Sequence, residues 1–181
     1  SGDLLARTLS ASGVASSSSW SAGNKLDTVE PSSRKIFTSN TLTAQSNNAY
    51  SVAAGQGVNF LWSSLDAESK VAQQGTATPG TNVSTTEGSR RLDYLRGDRS
   101  QETVTSNPMR KRKSRLGDIV NSDPLYIGKP DYGYNRLAGS VWGSAGESYL
   151  TYRQSTAYQA RRPLVVVGAN DGMLHGFDAS L

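Results

Sequence analysis

One short motif in this sequence carries the residue types of a recognition site. The tripeptide Arg96-Gly97-Asp98 combines a guanidinium, a flexible residue and a carboxylate, and it is the tripeptide that integrins recognise. That chemistry needs both charged side chains to be displayed on an exposed turn. In the structural interpretation, which we favour, Gly97 ends a helix while Arg96 and Asp98 pair locally. The tripeptide is therefore a candidate adhesion motif only if both side chains are exposed.

The densest run of positive charge is Arg110-Lys111-Arg112-Lys113, followed by Arg115. A run of this kind can contact nucleic acid or an anionic surface through phosphate or carboxylate groups. No aromatic residue is interleaved and no nucleic-acid-binding motif accompanies the run, so we predict no specific nucleic-acid partner. We favour a solvated loop before a strand, with an anionic-surface patch as the alternative.

The sequence offers little for catalysis or metal binding. It has no Cys and a single His, His175, which excludes thiolate chemistry and sites built from several histidines. We interpret His175 as a packed or hydrogen-bonded strand residue. Asp118, Asp123 and Asp171 stand beside Gly or Pro, where an aspartate bonds the backbone N–H groups of a turn. We therefore predict no catalytic residue and no metal ligand in this chain.

Short β-strands are the main structural signal around these motifs. β-branched and aromatic runs bounded by turn residues predict strands at residues 3–9, 34–38, 118–120, 125–127 and 164–167. The last run ends in Gly168-Ala169-Asn170-Asp171-Gly172, and Asp-Gly between two strand-like runs indicates a hairpin. In the returning strand, Met173, His175 and Phe177 share one face.

Two helices and several loops are also predicted. Apolar spacing predicts helices at residues 60–71 and 89–96, with loops at 40–57 and 73–88. Residues 128–158 are rich in Tyr and Gly and read as a long loop between strands, which is where binding is commonly located. We interpret Trp20, Trp62 and Trp142 as packing residues.

Composition and a weak repeat indicate the architecture. Only 35% of the 181 residues are hydrophobic, the net charge is +4, and no stretch approaches the roughly 20 apolar residues of a membrane span. Residues 2–9 and 172–179 are similar Gly-initiated strands, a repetition typical of β-propeller blades. The second copy has no room to complete a four-stranded blade before Leu181, and the first has no partner strand before Gly2. We therefore predict an all-β fold, an incomplete section of one β-propeller of a longer protein, spanning residues 1–181 with a loop and helix insertion at about 40–115.

Five motifs resemble, in the same order, the C-terminal domain of the PilY family of bacterial type IV pilus assembly and tip-adhesin proteins. They are WSAGNKL at 20–26, RKIFT at 34–38, DYLRGD at 93–98 with Glu102, RLGDIVNSDP at 115–124 with Tyr126-Ile127-Gly128, and VGANDGMLHGFD at 167–178. The resemblance implies a quinoprotein-like β-propeller that is exported and located at the pilus tip, outer membrane or cell surface. The family's calcium loop is a run of alternating aspartates that these motifs lack. We expect no cofactor in this chain and calcium only in a downstream part of the protein.

The resemblance also implies a function. It favours a non-enzymatic module for type IV pilus biogenesis, adhesion and twitching motility, in which rigid blades present loops. The implied partners are minor pilins, other pilus components, a host surface receptor and the rest of its own propeller. The first alternative is a quinoprotein-like dehydrogenase fragment using pyrroloquinoline quinone and calcium, although the vicinal Cys pair common in such enzymes is absent. The second is anionic-surface or nucleic-acid binding through residues 110–115.

Overall fold

The computed structural model describes residues 2–40, 42–44, 50–52, 57–74, 85–136 and 145–180. The chain forms two compact units. Residues 1–24 and 116–181 make up the first, here called the split unit, and residues 25–115 make up the second, here called the inserted unit. The insertion expected at about 40–115 stays a prediction.

The described strands are short and pair antiparallel throughout. They are β1 (Leu5–Ala6), β2 (Leu9–Ser10), β3 (Gly13–Val14), β4 (Trp20–Ser21), β5 (Phe37–Ser39), β6 (Leu42–Ala44), β7 (Tyr50–Val52), β8 (Gly57–Asn59), β9 (Leu125–Ile127), β10 (Leu164–Gly168) and β11 (Leu174–Asp178). Four pairs, β1–β4, β2–β3, β5–β8 and β6–β7, form two-stranded sheets, and β11, β10 and β9 form a three-stranded sheet in that order. No sheet among the described strands closes on itself.

Helices occupy more of the chain than predicted. They are α1 (Ala22–Thr28), α2 (Ala67–Gln74), α3 (Thr85–Arg96), α4 (Ala145–Gln154) and α5 (Thr156–Gln159), with 3-10 turns at Pro31–Ser33, Trp62–Ser64, Ser100–Glu102 and Tyr134–Arg136. The all-β prediction is therefore only partly confirmed. Within the described ranges, no helix combines the length and the apolar character that crossing a membrane requires.

The split unit is organised around the hairpin of β10 and β11. Val165 pairs with Phe177 and Val167 with His175, so these side chains share one face of the sheet. The Trp20 ring lies 6.2 Å from the Phe177 ring and extends this face. Gly172 takes a positive φ of 79° in the connecting turn. The predicted hairpin, and the shared face of His175 and Phe177, are confirmed.

The inserted unit is organised around α2 and α3. Leu65 and Leu92 are buried. A Cβ added to Gly88 would lie 2.5 Å from the Trp62 ring. The helix α3 and the 3-10 turn at Trp62–Ser64 therefore approach too closely for a larger residue at this position. The packing role predicted for Trp62 is thus confirmed. The predicted helix at 60–71 is interrupted, because Asp66 accepts the backbone N–H of Ser69 at 2.8 Å and starts α2 anew as its N-cap.

Three other predictions need correction or completion. The long loop predicted at 128–158 is wrong, since its described part contains α4, most of α5 and a 3-10 turn. Residues 118–120 form no strand and are held by single backbone bonds, such as Asn170 N–H to Asp118 O at 2.9 Å. The loop predicted at 40–57 contains β6 and β7. Trp142 lies outside the described residues.

Candidate functional site

The tripeptide Arg96-Gly97-Asp98 forms the end of α3. The Gly97 N–H donates to Tyr94 O, and the Asp98 N–H donates to Asp93 O, both at 2.9 Å. Gly97 has a φ of 110°. These two bonds and the left-handed glycine are the Schellman motif, which terminates a helix. The predicted helix stop at Gly97 is confirmed.

The Arg96 side chain points into the inserted unit. The residue is only 5% exposed. Its guanidinium donates to Phe60 O at 2.8 Å, to Pro31 O at 3.1 Å and to Arg34 O at 3.3 Å. A buried guanidinium needs such acceptors, because an unpaired buried charge is strongly unfavourable. The exposure that an adhesion motif requires is therefore not met at Arg96, and this geometry favours the structural interpretation of the tripeptide.

Three further arginines bind the backbone of the same tripeptide. Arg34 Nη1 donates to Arg96 O at 2.7 Å. Arg115 Nε donates to Gly97 O at 2.8 Å, and Arg112 Nη2 donates to Asp98 O at 2.7 Å. The last carbonyls of a helix lack partners within the helix and carry partial negative charge, so cations are favourable there. Each carbonyl of the tripeptide is thus satisfied by a different arginine.

The positive run at 110–115 divides into two sets. Arg112 and Arg115 turn inward, and Arg115 Nη1 also donates to Asp27 O at 2.6 Å and to Val29 O at 3.1 Å. The other three cations, Arg110, Lys111 and Lys113, are exposed. The candidate anionic-surface patch is thus reduced to three exposed side chains. The structure instead brings two members of this run onto the candidate adhesion motif.

Glu102 is the carboxylate that orders this arginine cluster. Its side chain is 2% exposed and accepts from Arg112 Nε at 2.7 Å and from Arg99 Nε at 3.1 Å. The Arg112 guanidinium also stacks on Tyr94, 3.7 Å from the ring centroid. Burial by itself raises the pKa of Glu102, but the hydrogen bonds from Arg112 and Arg99 outweigh it and leave the pKa below its ordinary value.

Asp98 has a local role in this geometry. Its Oδ1 accepts the backbone N–H of Ser100 at 2.7 Å, at the start of the 3-10 turn. Burial, and the nearby negative charge of Asp98, raise the pKa of Asp93. The Asp98 residue is only partly buried. Of the two charged side chains of the tripeptide, the carboxylate is therefore the one that remains accessible.

His175 and Asp171 form the one His–carboxylate pair among the described residues. The two side chains meet at 2.8 Å between Nε2 and Oδ2, and His175 is buried. Asp171 also accepts the backbone N–H groups of Met173 and Gly117 at 3.0 and 3.1 Å. Burial raises the pKa of Asp171, but the bond to His175 and these donors outweigh it and lower the pKa overall. The hydrogen-bonded histidine and the turn role of Asp171 are confirmed, whereas the turn roles of Asp118 and Asp123 stay predictions.

A groove of about 380 Å³ lies in the inserted unit beside Phe60 and Leu65, and Glu68 is its only ionisable described lining residue. Within the described ranges, no three His, Asp or Glu side chains come together as metal ligands. The hydrogen bonds of the arginine cluster hold an irregular segment of backbone rigid.

Sequence reasoning missed the inward turn of the cations. The sequence places Arg34 in a strand and Arg112 and Arg115 in a solvated loop, with an anionic-surface patch as the alternative. Their acceptors at residues 96–98 lie 62, 14 and 18 positions away along the chain, so no local spacing could pair them. The one available signal was that Gly97 would leave helix carbonyls in need of donors.

Comparisons with known proteins place this chain in a family. A family model described as the PilY1 beta-propeller domain matches residues 116–180. These residues make up the larger part of the split unit and include β9, β10 and β11. No solved structure matches the chain.

Curated relatives agree over more of the chain. The type IV pilus biogenesis factor PilY1 of Pseudomonas aeruginosa strain PAK is 44% identical over 130 residues, which is 69% of this chain and 10% of that protein. A PilY1 homolog of Xylella fastidiosa Temecula1 is 48% identical over 90 residues, 49% of this chain and 7% of that protein. The PilY1 of P. aeruginosa UCBPP-PA14 is 31% identical over 183 residues, covering 98% of this chain and 14% of that protein. This chain spans about a tenth of the length of these relatives, and it belongs to the PilY1 family, with a section of that family's β-propeller domain.

Proposed function

We propose that this chain is part of a non-enzymatic factor for type IV pilus biogenesis and adhesion. The observation that carries the proposal is the 44% identity, over 69% of the chain, to a protein named as a type IV pilus biogenesis factor. The proposed location is the pilus tip or cell surface, after export. The proposed partners are minor pilins and other pilus components, the remainder of the propeller and a host surface receptor.

The proposed mechanism is presentation of loops by a rigid framework. In the split unit the framework is the sheet of β9, β10 and β11. In the inserted unit it is the arginine cluster, which fixes residues 96–115 without regular strands. A surface whose backbone is already ordered loses less entropy on docking. Both units thus support a role in binding other components of the pilus.

Adhesion through Arg96-Gly97-Asp98 is the finer part of the proposal. Because Arg96 is engaged with three carbonyls, a receptor that approaches the structure as it stands meets Asp98 and not Arg96. Contact with both side chains would require the end of α3 to open. The tripeptide therefore contributes to adhesion only if opening of this turn accompanies binding.

The test is complementation of a strain that lacks the gene. The full-length gene, and the same gene without the codons for residues 116–180, are expressed at matched levels, and surface pili are measured after shearing. We expect the truncated form to leave few or no surface pili and to abolish twitching motility. Normal piliation with the truncated form would contradict the proposal for this part of the protein.

A further inference from the structure

Five tyrosines of the split unit form two sets of ring contacts, which are called the ladder here. The rings of Tyr132 and Tyr134 lie 5.9 Å apart at 22°, and those of Tyr134 and Tyr149 lie 5.3 Å apart at 62°. The rings of Tyr152 and Tyr158 meet edge to face at 4.9 Å. Tyr149 and Tyr152 are three residues apart on α4 and so lie on the same side of that helix. The ladder is therefore one surface, here called the tyrosine surface.

Three of these rings face solvent. Tyr132, Tyr134 and Tyr152 are 66%, 52% and 53% exposed. Single exposed apolar residues are ordinary, but adjoining exposed rings mark a binding surface. The separation of 5.9 Å between Tyr132 and Tyr134 is an offset arrangement that leaves ring faces uncovered.

Ion pairs and hydrogen bonds of neighbouring residues stabilise the segments that carry the tyrosine surface. Arg153 pairs with Asp131 at 2.7 Å and lies over the Tyr149 ring at 5.8 Å. The Tyr132 N–H donates to the Tyr149 hydroxyl at 2.9 Å, and Lys129 Nζ donates to Gln159 O at 2.7 Å. These contacts fix the Tyr149 ring and the backbone that carries Tyr132, so ligand binding has less of this segment to order.

The charge around the rings is positive. The described residues from 129 to 162 include the five cations Lys129, Arg136, Arg153, Arg161 and Arg162, and only two carboxylates, Asp131 and Glu147. Arg153 pairs with Asp131 and Arg162 pairs with Asp178, so the excess of positive charge comes from Lys129, Arg136 and Arg161 against Glu147. The exposed Arg161 guanidinium lies 5.4 Å over the Tyr158 ring, beside the ladder. The local field therefore favours an anionic ligand.

We propose that the tyrosine surface binds an acidic polysaccharide. Aromatic faces carry negative charge density, which complements the C–H face of a sugar ring. The guanidinium of Arg161 suits a sugar carboxylate, because arginine binds carboxylates through two parallel hydrogen bonds. The only large aliphatic residue of α4 is Leu150, so aromatic and charged groups, rather than aliphatic ones, dominate this helix. This inference goes beyond the role in pilus biogenesis and does not rest on it.

The test is binding of polygalacturonate, with uncharged dextran as the neutral polymer, to purified full-length protein. We expect polygalacturonate to bind and dextran not to bind. The double variant Tyr132→Ala with Tyr134→Ala should weaken binding about tenfold or more, and Tyr152→Ala should weaken it less. Arg161→Ala should weaken binding and also reduce its dependence on salt. The matched control is Tyr126→Ala, which removes a ring that is 63% exposed on the sheet and outside the ladder.

Several results would overturn the proposal. Binding of dextran as strong as that of polygalacturonate would replace it with a neutral-sugar site. Absence of polygalacturonate binding, or equal binding by the double variant and the Tyr126 control, would remove it. Piliation lost in the double variant with binding intact would make this a protein-docking surface. Should the double variant fail to fold, Tyr152→Ala alone decides, since this ring is half exposed and its loss must still lower the affinity.

Discussion

Each of the two units of this chain is stabilised internally in a different way. In the split unit, a three-stranded sheet satisfies its own backbone and buries one face around Val167 and Phe177. In the inserted unit, three arginine side chains satisfy the carbonyl oxygens of Arg96, Gly97 and Asp98. This difference shows that a chain with few apolar residues can order irregular segments through hydrogen bonds from guanidinium groups to backbone carbonyl oxygens. It also shows why a positive run in sequence need not be a binding surface.

The largest effect is expected in the apolar core of the split unit. Phe177→Ala removes a buried ring that contacts both Trp20 and His175. Truncation of a buried Phe costs about 3–5 kcal/mol, because the cavity collapses only in part. Urea unfolding of the purified protein measures the loss. A loss below about 1 kcal/mol would contradict the view that this face is the core of the unit.

The counterpart in the inserted unit is Arg96→Ala. Three carbonyls, those of Phe60, Pro31 and Arg34, lose a charged donor in a buried place. We expect the free energy of unfolding to fall by about 2–4 kcal/mol, since buried unsatisfied groups cost about 1–3 kcal/mol each and water satisfies some of them.

Arg96→Met separates hydrogen bonding from packing in the same position. Methionine restores much of the side-chain stem but donates nothing to the carbonyls. We expect Arg96→Met to be nearly as unstable as Arg96→Ala in urea unfolding. Full rescue by methionine would mean that the inserted unit, like the split unit, depends on apolar packing at this position.

A smaller, pH-dependent effect is expected at Glu102. Its pKa is lowered in the folded protein, so its contribution to stability is complete above its unfolded pKa of about 4.3 and is lost as the pH falls through the folded pKa. Glu102→Gln should therefore destabilise the protein by about 1–3 kcal/mol at pH 7, and the difference from the wild type should shrink below about pH 4. Thermal unfolding from pH 3 to pH 8 measures this. A difference that grows at low pH would contradict the role assigned to Arg112 and Arg99.

The smallest effect is expected for Arg110→Ala, which serves as the control for the arginine cluster. Arg110 is in the same run as Arg112 but its side chain is exposed. Exposed substitutions generally change stability by no more than about 0.5 kcal/mol. The same urea unfolding measures it. A loss comparable to that of Arg96→Ala would show that charge in this run, rather than the specific geometry, stabilises the unit.

Local signals in the sequence were enough for the local features of the fold. Asp171-Gly172 between two strand-like runs predicted the β10–β11 hairpin, and Gly97 predicted the end of α3, because each depends on the φ that glycine permits. The alternation that includes His175 and Phe177 correctly predicted their shared face. These features depend on neighbours within a few residues.

Features that depend on distant partners could not be predicted. Glycines and tyrosines suggested a loop at 128–158, yet α4 forms there and packs its tyrosines against Tyr134 and Tyr158. The favoured interpretation pairs Arg96 locally, but its acceptors include Phe60 O and Pro31 O, 36 and 65 residues away in sequence. Side-chain direction at such positions is decided by tertiary contacts, which no local pattern encodes.

Hydrogen–deuterium exchange of Arg96→Ala against the wild type tests the central claim most directly. The claim is that Arg96-Gly97-Asp98 is a structural element held by arginines. We expect faster exchange in residues 25–115, above all at the Gly97 and Asp98 amides, which donate to Tyr94 O and Asp93 O. Unchanged protection at these two amides would contradict it and would return the tripeptide to the status of an independent surface motif.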